Sequence, residues 1–124
     1  MRLLGIDWGR KKTGLALAEA NLATPLAVVP TDRLLEKVGQ VVKVEKVDKI
    51  VIGVSENESA LAAREFGKNL AKEIDIPVDY HDETLTTADA RALSISAGIS
   101  RKKRKNMEDA FAATIMLQSY LDNA

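Results

Sequence analysis

Residues 5–14 read GIDWGRKKTG, and the way this stretch folds decides how the rest of the chain is arranged. The run that leads into it, Arg2-Leu3-Leu4-Gly5-Ile6, is short and apolar, as a buried strand is. Thr13 to Ala18 resumes an apolar run after a turn flanked by Gly9 and Gly14. Two strands are therefore expected, with Asp7 closing the first and Arg10, Lys11 and Lys12 in the turn between them. An acid at a strand end has two ordinary uses. It accepts hydrogen bonds from the amides of the turn, or it is a ligand for something positive.

Outward from this pair, PLAVVP (25–30) is an apolar run closed by prolines, a third strand at a sheet edge or joining a turn. The three strands form an antiparallel meander. TDRLLEKVGQVVKVEK (31–46) then places Leu34, Leu35, Val38, Val41 and Val42 at helical spacing, predicting an amphipathic helix interrupted by one glycine. DKIVIGV (48–54) is a continuous β-branched run of the kind covered on both faces, and Ser55 with Glu58 reads as a capping box. The helix it opens has Ala63, Phe66 and Leu70 on its apolar side.

IPVDYHDE (76–83) is a further strand ending in two acids, and TTADARALSISAG (86–98) a short helix running from hydroxyl caps to Gly98. SRKKRK (100–105) reads as a basic loop. NMEDAFAATIMLQSYLDN (106–123), with an Asn cap, acids in its first turn and apolar residues almost all round, is expected to be a buried helix. Helix-connected strands run parallel, so the order β-β-β-α-β-α-β-α-α gives an α/β fold: a mixed five-stranded sheet with helices on both faces, in the order of an RNase H-like domain.

The chain has 124 residues, which is one domain, 1–124, able to bury its own core. It has no cysteine, so disulfides and thiolate metal sites are excluded. With no apolar run long enough to cross a bilayer and no signal-peptide pattern, a soluble, cytoplasmic protein is expected. Lys plus Arg and Asp plus Glu each number 18, so the overall field does not advertise a nucleic-acid partner. The charge is unevenly placed, however: Arg10, Lys11 and Lys12 form one dense basic cluster, and Arg101, Lys102, Lys103, Arg104 and Lys105 the other. Either is a solvated surface or a phosphate-binding one. Aromatic residues are 4% of the chain, which argues against binding single strands by base stacking.

Ligands of an open α/β sheet gather at the carboxyl ends of its parallel strands, where Asp7 and the Asp82-Glu83 pair are expected. Asp109 is a third candidate from a separate element. The residues three, four, seven and eleven positions on are Ala112, Ala113, Met116 and Tyr120, so its carboxylate heads a stripe facing the core. Each acid also has a plainer reading: Asp109 as a helix-dipole acid, Asp82 and Glu83 as residues entering a capped helix. Because side chains alternate along a strand, only one of that pair would point into a given site. Acids clustered without cations either raise their pKa values or bind a metal, and hard oxygen donors suit Mg²⁺ or Mn²⁺. Such a cluster could hold two ions and hydrolyse phosphodiesters. The single histidine, His81, could hydrogen-bond near that site or be a satisfied structural residue.

LGIDWGRKKTGLALAE (4–19), HDETLTTADA (81–90) and NMEDAFAATIMLQSYL (106–121) resemble the signatures of the YqgF/RuvX family of RNase H-like Holliday-junction resolvases, in the same order and across nearly the whole chain. The resemblance implies metal-binding or catalytic roles for Asp7, Glu83 and Asp109, with Asp82 as neighbour and Lys11 or Lys12 in the basic part of the first motif. It implies a nuclease acting on branched DNA or on precursor 16S ribosomal RNA. Two positions depart from the family pattern: GVSENESA (53–60) lacks the Gly-x-Pro found in relatives, and Ala18-Glu19 stands where relatives have Ser-Asp. Cutting two strands symmetrically would require a homodimer. Two other readings are a non-catalytic nucleic-acid-binding scaffold on the same fold and a nucleotide-binding module of the actin-like ATPase class.

Overall fold

The computed structural model describes residues 1–54, 59–82 and 101–123, with residues 59 and 101–106 as backbone. The capping box at 55–58, Glu83 and the helix expected at 86–98 lie outside the described residues. The first three strands are β1 (Arg2–Asp7), β2 (Lys12–Glu19) and β3 (Leu22–Pro30). A 3-10 turn at Thr31–Arg33 leads into helix α1 (Leu34–Val44), followed by β4 (Lys49–Val54), α2 (Ser59–Glu73), β5 (Val78–Asp82) and α3 (Arg101–Asp122).

The sheet order is β3-β2-β1-β4-β5. β1 pairs antiparallel with β2, and β2 with β3, as the meander requires. β1, β4 and β5 run parallel, so their carboxyl ends, Asp7, Val54 and Asp82, lie at one end of the sheet. Pro25 is tolerated because β3 is an edge strand, and the register slips where Leu15 and Ala16 face Ala27 and Pro25.

Strand alternation sorts the core into two layers. Leu4, Ile6, Leu15, Ile50 and Ile52 pack against Leu34, Val38 and Val41 of α1 and Ala63 and Leu70 of α2. On the opposite face, Leu3, Ala16, Ala18 and Val51 pack against Ala113, Met116 and Leu117 of α3. That second face is paved with small residues, so α3 lies close to it. A Cβ at Gly5 would meet the Leu117 side chain at 3.0 Å. At the far end of the helix, Gln118 takes the Ala23 amide on its Oε1 (3.0 Å) and donates Nε2 to the Asn21 carbonyl (2.9 Å), fastening α3 to the β2–β3 turn.

Two elements differ from the expectation. The glycine at 39 does not interrupt α1, which is continuous from Leu34 to Val44. The basic stretch is not a loop: Arg101 to Lys105 lie within α3, described over Arg101–Asp122, and Asn106 is not its cap. Lys and Arg are good helix formers, and nothing between Arg101 and Asp122 breaks a helix.

Candidate active site

The site is built on the hairpin that opens the chain. Asp7 ends β1 with Gly14 as its cross-strand partner on β2 and Gly53 as its partner on β4. Directly opposed residues of an antiparallel pair project to the same face, so the side of the sheet that Gly14 turns outward is the side Asp7 points to. Helix α3 covers that side. A side chain on Gly14 would run into the Asp109 carbonyl, so only glycine lets the helix seat itself there. The close approach sets the Asp109 backbone over the residue opposite Asp7, and two acids 102 positions apart in the chain come to one end of the sheet.

The turn between the strands is held shut by two threonines. The Gly9 amide donates to Thr13 Oγ1 at 3.3 Å, and the Thr31 hydroxyl donates to the Gly9 carbonyl at 2.6 Å. The two hydroxyl oxygens are 2.9 Å apart. Since the one Thr31 proton is engaged by Gly9, the Thr13 hydroxyl is the donor between them. The Thr31 amide also bonds the Lys11 carbonyl at 3.0 Å, and Thr13 is fully buried. At Gly9 a side chain would strike the Lys12 carbonyl, so this glycine does serve the turn. Arg10 and Lys11 stand exposed on it.

Lys12 behaves differently from its two neighbours. It is the first residue of β2, of the same parity as Gly14, Ala16 and Ala18, and so turns toward α3. Its Nζ lies 3.5 Å from Asp109 Oδ2. Asp109 itself sits eight residues after Arg101, so it is no first-turn acid, and the helix-dipole explanation for it falls away. Positions 105 to 101 continue the helix about 6 to 12 Å along its axis past Asp109, at the residue rise of an α-helix.

Parity also separates the acids of β5. Asp79 and His81 face α3: the Tyr120 hydroxyl donates to Asp79 Oδ2 at 2.8 Å, and His81 Nε2 lies 3.0 Å from Ser119 Oγ, its ring edge-on to Tyr120. His81 thus has a polar partner on α3, on the face of the sheet to which Asp7 also points. Tyr80 points to the opposite layer, packing beside Gly67 of α2, and Asp82 shares its parity. The Tyr120 hydroxyl, with help from the Tyr80 amide and Lys49, holds the Asp79 carboxyl below its ordinary pKa. Lys49, which contacts Asp79 at 3.6 Å and lies over the Tyr120 ring, is held above its ordinary value, chiefly by its hydrogen bond with Tyr120.

The described residues therefore place Asp7, Asp109 and Lys12 on one face at one end of the sheet, with Lys12 and Asp109 in contact, and turn Asp82 to the other face. Lys12 as a partner of Asp109, Gly14 as the seat of α3 and Thr31 as a latch were not read from the sequence. The two-residue spacing of Lys12 and Gly14 on a strand was the available signal for the first.

Comparison with known proteins meets this geometry. The profile of RuvX, described as Holliday junction resolvase, matches residues 1–123. The chain belongs to the RuvX family. A Streptococcus sanguinis protein named "Putative pre-16S rRNA nuclease" is 40% identical over 136 residues, covering 98% of each chain. A Bacteroides fragilis protein of the same name is 39% identical over 134 residues, covering 98% of this RuvX-family chain and 96% of its own. Among solved structures, Thermus thermophilus RuvC in complex with a Holliday junction substrate superimposes with a TM-score of 0.60 at 19% identity, covering 100% of this chain and 96% of that one. Fowlpox virus resolvase with its junction DNA gives 0.69 at 13%, covering 99% and 98%. At these identities the likeness is one of fold, and the RuvX-family chain has the RNase H-like arrangement that its sequence pattern implied.

Proposed function

We propose that the chain is a metal-dependent endonuclease that hydrolyses phosphodiester bonds in structured nucleic acid, with Asp7, Asp109 and Glu83 as its metal ligands. The observation that carries this reading is the contact at Gly14, which sets Asp109 beside the strand pair ending in Asp7. Family membership over residues 1–123 supports it and leaves the actin-like nucleotide module without support.

The donors fit the ion. Carboxylate oxygens are the hard ligands that Mg²⁺ and Mn²⁺ prefer, and a positive charge, the Lys12 ammonium, already stands at Asp109. Among the described residues no group of three such ligands is complete, and Glu83, the third of the proposed set, lies beyond them. When bound, the metal supplies an activated water and neutralises charge at the leaving oxygen. Asp7 and Asp109 would hold it from two different elements, which the packing of α3 on the sheet sets relative to each other. Arg10 and Lys11, on a turn locked by Thr13 and Thr31, contact the phosphates flanking the cleaved bond, and Arg101 to Lys105 extend that contact along the first turns of α3. Asp82 is left out of the ligand set because its parity is that of Tyr80.

The substrate is branched DNA, as the family description names, or precursor 16S ribosomal RNA, as the relatives' names say. Resolving a junction symmetrically would take two copies. The test is cleavage of end-labelled four-way junctions, linear duplex and a precursor-rRNA fragment with Mg²⁺, Mn²⁺ or EDTA. Wild type cuts one of the first or last with metal alone. Asp7→Asn lowers that rate at least about 100-fold, since even partners of metal ligands are worth 10- to 100-fold. Binding without cutting, under every metal condition, would replace the nuclease with a scaffold.

A further inference from the structure

Lys12 stands apart from the basic residues that precede it. Arg10 and Lys11 lie on the exposed turn, whereas Lys12 is the first residue of β2, directed by strand parity toward α3, with its ammonium 3.5 Å from Asp109. Asp109 has no helix terminus to neutralise it, because two turns of α3 precede it and the positive end of a helix acts only within its first turn. Its carboxylate is about one-third exposed, and the lysine side chain more than half. One end of this pair is therefore fixed by packing and the other is free to swing.

We propose that Lys12 is a tethered counter-ion of the active site, neutralising Asp109 when no metal is bound and yielding that position to the metal when it arrives. The inference rests on Asp109 being a metal ligand. A magnesium-sized ion sits about 2.0 to 2.1 Å from its carboxylate oxygens. An ammonium at 3.5 Å from Oδ2 would then lie within a few ångströms of a second cation, and the repulsion between like charges that close favours displacement of the lysine. Lys12 can move, since its stem is flexible and exposed. Metal affinity is thereby lowered by whatever the ion pair contributes, and the acids do not repel an approaching phosphate backbone while the site is empty of metal.

The experiment is a titration of the full chain with Mn²⁺ alone, followed by electron paramagnetic resonance of the free ion, without nucleic acid. Wild type is compared with Lys12→Met, Lys12→Arg and Lys43→Met, the last removing the same charge from exposed α1. An exposed ion pair contributes about 0.2–1 kcal/mol, so Lys12→Met is expected to bind Mn²⁺ about 1.5- to 5-fold tighter. Lys12→Arg and Lys43→Met keep the wild-type affinity. Equal or weaker binding by Lys12→Met overturns the counter-ion role alone, as does an equal gain in Lys43→Met, which would assign the effect to net charge. Absence of Mn²⁺ binding in every variant overturns the metal site itself and the counter-ion with it.

Discussion

At Gly14 the backbone of α3 comes so near β2 that a single methyl group would occupy the place of the Asp109 carbonyl. Backbone cannot turn aside as a side chain can, so the strain is relieved only by lifting the helix. Gly14→Ala is expected to cost about 3 kcal/mol, the upper range for overpacking, read as a lower midpoint in urea. Cleavage should fall by more than the loss of folded protein explains, because the same displacement moves Asp109 away from Asp7. A Gly14→Ala protein of wild-type stability and activity would show that the contact does not set the site. At Gly5 the approach is less close, since a Cβ there would lie 3.0 Å from Leu117 Cβ and 3.4 Å from the Ala113 carbonyl, tight but without overlap.

Among the elements, α3 carries most of what the site needs: Asp109 near one end, the apolar stripe Ala113, Met116 and Leu117 in the middle, and Tyr120 toward the other end. Tyr120 anchors the helix to β5 through Asp79. The folded Asp79 carboxyl titrates below its unfolded value of 3.8, so the contact contributes stability above that pH and loses it as pH falls through the folded pKa. Tyr120→Phe removes the first cause of that depression. Its expected cost is about 1 kcal/mol near neutrality, modest for a bond to a half-exposed carboxylate. Thermal melts followed by circular dichroism at pH 7 and pH 2.5 check it: the gap between variant and wild type narrows in acid. A gap of the same size at both values would mean that Asp79 is not what Tyr120 holds.

For the whole molecule, equal numbers of acids and bases hide a polar distribution, with acids at the strand ends and basic positions on the first turn and along the start of α3. Affinity for nucleic acid is expected to fall steeply with salt, with a log–log slope that loses about 0.9 for each phosphate contact removed from a duplex. Lys103→Gln with Arg104→Gln should flatten that slope by about 1 to 2, and an unchanged slope would remove this stretch from the interface. Much of this architecture was legible. The hairpin around Asp7, the edge strand with its prolines and the buried strand at 49–54 follow from short-range pattern, which is local physics. The helical state of the basic run was not, because a dense run of charge suits a loop as well as a helix, although Lys and Arg favour helix. Nor was the seat at Gly14 or the Lys12–Asp109 pair, since each joins residues 95 or more positions apart and depends on which helix covers which face. Asp79 and His81 were seen as polar residues of a strand, but their partners on α3 belong to the tertiary structure.

The same separation along the chain has a consequence for synthesis. Asp7 and its hairpin are made 102 residues ahead of Asp109, with the covering of one whole sheet face waiting on α3. At translation rates of about 5 to 20 residues per second, the strands exist for seconds before Asp109 can join them. Until then a nascent chain holds one acid of the pair without the other, so a reaction that needs both waits for α3. On the proposed reading the site is incomplete over that interval, while the chain is still held by the RNA-rich machine that makes it.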